Sequence, residues 1–136
     1  MAVAEDARKL ALGLSAGRTV VGTLALLAPE LTGRLFGYPK ADINPSTVTL
    51  ARMFGVREVA IGAANLVWLS SRPPTRMLAG LNLAVDGGDA AVSLAGLVAR
   101  NGRARANLMA LLVAAPVAGL WARMVMSLGS EADAEG

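Results

Sequence analysis

Hydrophobic residues in this chain are gathered into four segments, with short polar breaks between them. The segments cover residues 10–28, 46–69, 76–99 and 107–128. Each approaches the roughly 20 apolar residues that an α-helix needs to cross a hydrocarbon core of about 30 Å. The pattern therefore predicts an all-α fold, an integral membrane four-helix bundle that forms a single transmembrane domain over residues 1–136.

The breaks between these segments predict turns and helix ends. Glycine and proline interrupt the apolar order over residues 31–46, so we expect an irregular connection there. Asn44 and Pro45 are residue types that cap and begin a helix, and they should start the second span. The acidic tail, residues 129–136, is predicted to be disordered. The polar start, residues 1–9, is predicted to stay in the mature protein and not to be removed as part of a signal peptide.

The third segment carries polar residues that an apolar span is not expected to contain. This polar stripe consists of four residues at intervals of four, three and four: Asn82, Asp86, Asp89 and Ser93. Residues at these intervals share one face of a helix. Two carboxylates one turn apart repel each other where the dielectric constant is low. We therefore expect at least one of the two aspartates to hold a proton or to pair with an arginine.

Charged residues also lie inside the first two segments. Arg18, at the middle of the first, would cost about 2.5–3.5 kcal/mol or more if it faced lipid, so we expect it to face a carboxylate. One face of the second segment is predicted to carry small and polar residues that let another helix approach closely: Gly55, Glu58, Gly62 and Asn65. Arg57 points about 100° away from Glu58.

Residues nearer the segment ends carry a different expectation. Arg52 and Arg123 can extend their guanidinium groups to the membrane surface. Tyr38, Trp68 and Trp121 are of the types that anchor a protein at the membrane–water interface, and we expect them to do so here. The inner charges are therefore the better candidates for chemistry. We expect them to meet in one buried core cluster, in which the aspartates of the third segment face arginines and Glu58 of the first two.

Composition narrows the possible chemistry. Hydrophobic residues make up 54% of the chain and charged residues 17%, a balance typical of a lipid-embedded protein. Cysteine and histidine are both absent, which excludes disulfides, thiolate metal sites and histidine-based catalytic triads. We expect no metal and no other cofactor, so acid–base chemistry falls mainly to carboxyl groups. The net charge of +3 predicts contact with anionic lipid and no nucleic acid.

Three features together resemble small four-helix membrane proteins of unknown function that are common in actinobacteria. They are the mid-helix Arg18, the run Arg-Met-Phe-Gly-Val-Arg-Glu from Arg52 to Glu58, and the Asp86-x-x-Asp89 pair. Some small bacterial membrane proteins of this general size are similar to unconventional terpene cyclases, which protonate an epoxide or alkene of an isoprenoid. That resemblance implies that Asp86 or Asp89 is the acid.

These features predict a protein of the bacterial inner membrane that binds and transforms a lipophilic small molecule. The expected reaction is general-acid cyclisation or isomerisation of an isoprenoid. The candidate catalytic residues are Asp86, Asp89 and Glu58. The candidate substrate-binding residues are Arg18, Arg57, Asn65, Asn82 and Ser93.

Two other functions fit the same charges. One is a non-catalytic accessory subunit of a larger membrane complex, in which buried ion pairs only orient the helices. The other is a small proton-coupled exporter, which predicts a homodimer because four helices rarely enclose a pathway. The expected partners are therefore the lipid bilayer, a hydrophobic small-molecule substrate, and either a second copy of the chain or a membrane-complex subunit.

Overall fold

A computed structural model describes residues 2–134 of the chain, and the side chains of residues 5–129. Within this range the protein is all-α and contains no strand, as predicted. Five α-helices follow one another: α1 (Ala2–Leu27), α2 (Pro29–Leu35), α3 (Pro45–Ser71), α4 (Arg76–Val98) and α5 (Ala104–Ala134). A short 3-10 helix, Lys40–Asp42, lies between α2 and α3.

Three of the described helices are long and apolar enough to cross a membrane. Their apolar lengths are Glu5–Leu27 in α1, Arg76–Val98 in α4 and Ala104–Gly129 in α5. The chain is therefore a membrane protein. α3 coincides with the remaining predicted span and is 27 residues long, but Arg57 and Glu58 lower the hydropathy of its middle. The structure thus confirms the predicted all-α fold and three of the predicted membrane-spanning helices. It does not confirm a bundle of four.

The start of α3 follows the sequence prediction. Asn44 caps the helix, since its Oδ1 accepts hydrogen bonds from the backbone N–H groups of Ser46 and Thr47 at 3.0 and 3.1 Å. Thr47 Oγ1 accepts in turn from the backbone N–H of Asn44 at 2.9 Å, and the two bonds complete a capping box. Pro45 is the first helical residue, as expected. The hydrogen bonds of this capping box therefore fix where the long connection ends and α3 begins.

The connection after α1 is more regular than the sequence predicted. The expectation of an irregular stretch over residues 31–46 was wrong for its first five residues, which belong to α2. Pro29 begins this helix, because a proline at the first helical position loses no hydrogen bond. Gly37, with a φ of 80°, ends it, and Tyr38 N–H then donates to Gly33 O at 3.0 Å.

α5 is longer than the predicted fourth span. It continues to Ala134, so the expectation of a disordered tail from residue 129 was wrong as far as Ala134. No proline follows Pro116 in this helix, and the alanine and glutamate residues near its end favour helix. Residues 135 and 136 lie outside the described part of the chain.

One compact unit contains most of α1 together with α2 and α3, and within it α1 and α3 touch through glycine. A Cβ atom on Gly55 would lie 2.6 Å from Gly22 O, and one on Gly22 would lie 2.8 Å from Gly55 O. Two turns further along α3, a Cβ on Gly62 would lie 2.9 Å from Ser15 O. These distances are shorter than van der Waals contact, so only glycine lets the two backbones come this close.

The other compact unit contains the start of α1 together with α4 and α5, which pack against each other. The two helices are antiparallel. Near the end of α4, the Cβ position of Gly96 lies 2.8 Å from Asn107 Cγ at the start of α5. Near the end of α5, the Cβ position of Gly129 lies 3.3 Å from Cζ of Arg76, the first residue of α4. The contact at Gly96 gives the register of the pair, and the reach of the Arg76 side chain to Gly129 agrees with it.

Exposure along the long helices is the reverse of that in a water-soluble protein. Large apolar side chains are 67% to 76% exposed on each of them: Val20, Leu27, Val67, Met77, Val92, Val98 and Met126. Polar and charged side chains lie on buried faces: Arg18, Glu58, Asn65, Asn82 and Asp86. Because the exposed surface is apolar, lipid is the surrounding in which this distribution is stable.

Gly55→Ala should destabilise the protein, because the added Cβ would lie 2.6 Å from Gly22 O and would force α1 away from α3. Overpacking of this kind costs about 1–3 kcal/mol. Gly17→Ala is the matched control, since nothing lies within 4 Å of that Cβ position and alanine favours helix. Thermal unfolding in detergent micelles measures both variants. Equal Tm values would contradict the close packing of the two backbones.

Candidate functional site

Arg18 and Glu58 form an ion pair between α1 and α3. Arg18 Nη1 lies 3.1 Å from Glu58 Oε2 and donates to Glu58 Oε1 at 3.3 Å. Both side chains are buried, with 4% and 8% of their surfaces exposed. The expectation that Arg18 faces a carboxylate is confirmed. Since either charge would be costly in lipid without the other, the pair constrains how α1 lies on α3.

A second arginine, Arg57, contacts the same carboxylate. Its Nε donates to Glu58 Oε1 at 3.1 Å, and its Nη2 lies 3.1 Å from the same oxygen. The two residues leave the helix about 100° apart. The Arg57 side chain nevertheless bends back, and its guanidinium group lies 5.2 Å from the centre of the Phe54 ring. We call Arg18, Glu58 and Arg57 the ion cluster.

Close packing of α1 on α3 places the ion cluster. Glu58 follows Gly55 by three residues on the buried face of α3, and a Cβ on Gly22 would lie 2.7 Å from Glu58 Cβ. A larger residue at position 22 would separate the backbones and lengthen the contact between Arg18 and Glu58. Asn65 lies on the same buried face, as its spacing predicts.

The polar stripe lies on α4, mostly on its buried face. Asn82, Asp86 and Ser93 are buried, with exposed fractions of 2%, 7% and 8%, and Asp89 is half-buried. Asn82 Nδ2 donates to Leu78 O at 2.9 Å. Ser93 Oγ donates to Asp89 O at 2.8 Å. Because side-chain amides and hydroxyls do not ionise near neutral pH, the two carboxyl groups are the members of the stripe that can act as acids.

Glycine opens the surface of α4 beside these carboxyl groups. Nothing lies within 4 Å of the Cβ position of Gly88, and the nearest atom for Gly87 is Leu83 Cδ1 at 4.0 Å. A glycine inside a helix costs about 1 kcal/mol relative to alanine, and space for a side chain exists at both positions. The pair therefore leaves room next to Asp86 and Asp89 that packing does not require.

The inner charges belong to two compact units, and the structure describes each unit by itself. One unit contains the ion cluster on α1 and α3, and the other contains the polar stripe on α4. Arg52 and Arg123 are exposed, as expected for arginines that reach the membrane surface. The hypothesis that the two groups meet in a single core stays a prediction.

The two tryptophans differ in their surroundings. Trp68 is 38% exposed and stacks with the Arg72 guanidinium group at 4.5 Å. The expectation that Trp121 is an interface anchor was wrong, since only 1% of its surface is exposed. It shares the buried face of α5 with Ala118 and Met124, at intervals of three residues, and the helix continues well past it.

Glu58→Gln should destabilise the protein by about 3–5 kcal/mol, because it removes the negative charge that lies 3.1 Å from the buried Arg18 guanidinium group. In a double-mutant cycle, Arg18→Met together with Glu58→Met should cost less than the sum of Arg18→Met alone and Glu58→Met alone, since the double variant removes both members of the ion pair. Arg57→Met is the comparison: its side chain is 41% exposed, and ion pairs near the surface contribute about 0–1 kcal/mol. Unfolding in mixed SDS micelles measures the free energies. Strict additivity of the two single losses would rule out the coupling.

Comparison with known protein families finds one family that matches most of the chain. The profile of DUF4267, a domain of unknown function, matches residues 15–125, from within α1 to within α5. The match includes the ion cluster and the polar stripe. No curated protein and no solved structure matches the chain, so its likeness to terpene cyclases stays a prediction. Because the family profile covers most of the sequence, the protein belongs to the DUF4267 family.

Proposed function

We propose that this protein resides in the bacterial inner membrane, binds an isoprenoid beside Asp86 and Asp89, and cyclises or isomerises it by general-acid catalysis. The observation that carries the proposal is the position of Asp86. It is 7% exposed, on the buried face of a helix apolar enough to span a membrane. An ionisable group at such a position is costly to keep and is typical of a functional site.

The residue types present leave carboxyl groups as the strongest available acids. Histidine and cysteine are absent from the chain, and an arginine guanidinium group does not give up its proton in proteins. A carboxylic acid that keeps its proton in an apolar surrounding can pass it to a substrate oxygen. Gly87 lies about 100° round the helix from Asp86, and Gly88 about 100° from Asp89, so the open surface at each glycine lets a lipophilic molecule approach the neighbouring carboxyl group.

The proposed reaction needs no external reagent. One aspartic acid protonates an epoxide oxygen as the C–O bond breaks, and the π electrons of a neighbouring alkene close a ring onto the cation. The final carbocation then loses a proton to an aspartate, which forms a new C=C bond and restores the acid. Substrate and product are isomers, so no electrons are consumed. Apolar surroundings keep water from trapping the cation.

The ion cluster supports this chemistry from outside the reacting atoms. Glu58 accepts contacts from two guanidinium groups, so we assign it to holding Arg18 and Arg57 rather than to proton transfer. Arg18 supplies positive charge on the buried face of α1, and Arg57 supplies it at a partly exposed position on α3. Asn82 and Ser93 use their donors on the α4 backbone, and we assign them to shaping the helix face beside the acids.

We also propose that α3 is a fourth membrane span. Its 27 residues are long enough to cross the hydrocarbon core. The contacts of Glu58 with Arg18 and Arg57 lower the cost of placing charge at the middle of this helix. Four crossings would complete the bundle that the hydrophobic pattern predicts.

A non-catalytic accessory subunit is the second candidate function. The ion cluster favours it, since a carboxylate held by two arginines is what helix packing without chemistry would also need. This alternative gives no role to Asp86 and Asp89 beyond architecture. The activity of variants at those two positions therefore separates the candidates.

Asp86→Asn and Asp89→Asn should each lower turnover of an isoprenoid epoxide, and the double variant should abolish it. The amide keeps the shape of the carboxyl group but has no proton of comparable acidity, and loss of general-acid catalysis lowers kcat by about 10²–10⁴-fold. The assay follows conversion of farnesene epoxide to cyclic products by the protein in phospholipid nanodiscs, with gas chromatography and mass spectrometry as the readout.

Asp42→Asn is the matched control for these variants, because Asp42 lies in the 3-10 helix and not in a long helix. It should leave turnover unchanged. Full turnover by the Asp86→Asn, Asp89→Asn double variant would refute the general-acid role. The absence of cyclic products from the wild-type protein would refute the reaction itself and favour the accessory subunit.

Single cysteines test whether α3 crosses the membrane, and the chain has no cysteine of its own to interfere. Ala41, Ser71 and Ala104 are exposed positions near helix ends. If α3 is a span, Ala41→Cys and Ala104→Cys should react with an impermeant maleimide on one side of the membrane, and Ser71→Cys on the other. Labelling of Ala41→Cys and Ser71→Cys from the same side would show that α3 does not cross.

A further inference from the structure

Trp121 is a buried residue of α5 to which the proposed reaction gives no role. Only 1% of its surface is exposed, and its indole Nε1 has no hydrogen-bond partner among the residues that the structure describes. Native structures rarely leave a buried N–H group in this condition, because the group has lost water without gaining an acceptor. Since an indole N–H can only donate, the atom that complements it is an acceptor such as oxygen.

The register of α4 and α5 places Trp121 close to the depth of Asp86. From either of the two end contacts of this helix pair, ten residues along α4 lead to Asp86. The same ten residues along α5 lead to position 117 from one contact and to position 119 from the other. Asp86 is therefore level with Ala118. Trp121 follows three residues later, a rise of about 4.5 Å along the axis.

Helix geometry reduces even this separation. Each Cα–Cβ bond in an α-helix tilts toward the N terminus of its helix. Because α4 and α5 are antiparallel, the Trp121 side chain leans toward the level of Asp86, and the Asp86 side chain leans toward the level of Trp121. Gly87, the residue after Asp86, has no atom nearer than 4.0 Å to its Cβ position, so α4 has open surface beside the carboxyl group at this depth.

We propose that Trp121 is a substrate-binding residue whose indole N–H donates a hydrogen bond to an oxygen atom of an oxygen-bearing isoprenoid, at the same end of the molecule that meets Asp86. The inference rests on the function proposed above and adds the class of ligand. That class is a lipophile with an epoxide or ether oxygen, as distinct from a hydrocarbon.

The chemistry of an epoxide suits this pair of protein groups. Its oxygen has two lone pairs, so one can take the proton of the acid while the other accepts the indole N–H. As the C–O bond breaks, charge develops on this oxygen, and a donor already in place stabilises the transition state. A hydrocarbon would leave the buried indole N–H without an acceptor, which disfavours its binding at this site.

An NMR measurement tests the hydrogen bond directly. The chain has two tryptophans, Trp68 and Trp121, so Trp68→Phe leaves Trp121 as the source of a single indole N–H signal. The probes are farnesene epoxide and farnesene, which differ by one oxygen atom, added to nitrogen-15-labelled protein in phospholipid nanodiscs. The epoxide should move the signal downfield, because a hydrogen bond forms. Farnesene should not.

Trp121→Phe gives a second measurement, since it removes the donor and keeps an aromatic ring. The change should weaken binding of the epoxide by about three- to tenfold, the worth of one net hydrogen bond, and leave farnesene binding unchanged. Trp68→Phe is the matched control at an exposed position beside Arg72, and it should bind both probes as the wild type does. If Trp121→Phe does not fold, the NMR measurement decides, because it keeps Trp121 in place.

The outcomes separate this inference from the proposed function. Equilibrium dialysis measures binding independently of Trp121. If the epoxide binds but the indole signal stays in place, the role of Trp121 is overturned and the acid role of Asp86 stands. An equal shift with farnesene also overturns it, since the signal then reports packing. If neither probe binds, both proposals fail.

Discussion

Lipid offers no hydrogen-bond partners, so the polar groups on the buried faces of these helices have to find partners within the protein. Arg18 is the clearest case, because a guanidinium group at mid-helix is tolerable only with a counter-charge beside it. Its 3.1 Å contact with Glu58 requires α1 to lie directly on α3. That approach in turn requires glycine at positions 22 and 55, where any side chain would strike the opposite backbone. The ion pair between Arg18 and Glu58 therefore depends on the close approach of the two helix backbones.

The ion cluster and the polar stripe differ in how their polar side chains are bonded, and the functional proposal rests on this difference. In the ion cluster, two guanidinium groups converge on one carboxylate, which suits a structural contact. In the polar stripe, Asn82 and Ser93 turn their donors to the backbone of their own helix. Asp86 and Asp89 stand between them, next to glycines that leave the surface open. The reaction that we propose for a lipophilic molecule uses the carboxyl groups of the second arrangement.

Some features of this fold were predictable from the sequence and others were not. The Asn44-Pro45 start of α3 and the buried face that carries Gly55 and Glu58 were predictable, because capping chemistry and helical spacing act over a few residues. The contact of Arg57 with Glu58 was missed, since spacing gives the direction of a side chain and not the reach of a flexible one. α2 was not predicted, because the sequence analysis gave residues 31–46 as an irregular connection on the ground of their glycine and proline content, whereas Pro29 can begin a helix.

Hydropathy and spacing were sufficient to establish that this is an all-α membrane protein with ionisable residues on the inner faces of its helices. These properties depend on segment length and helical period, which can be read from neighbouring positions. The partner of Arg18 lies 40 residues away in the chain, and no local pattern encodes which carboxylate that is. The 1% exposure of Trp121 likewise depends on tertiary packing, and its depth relative to Asp86 depends on how α5 packs against α4. Such distances between remote segments exist only once the helices have packed.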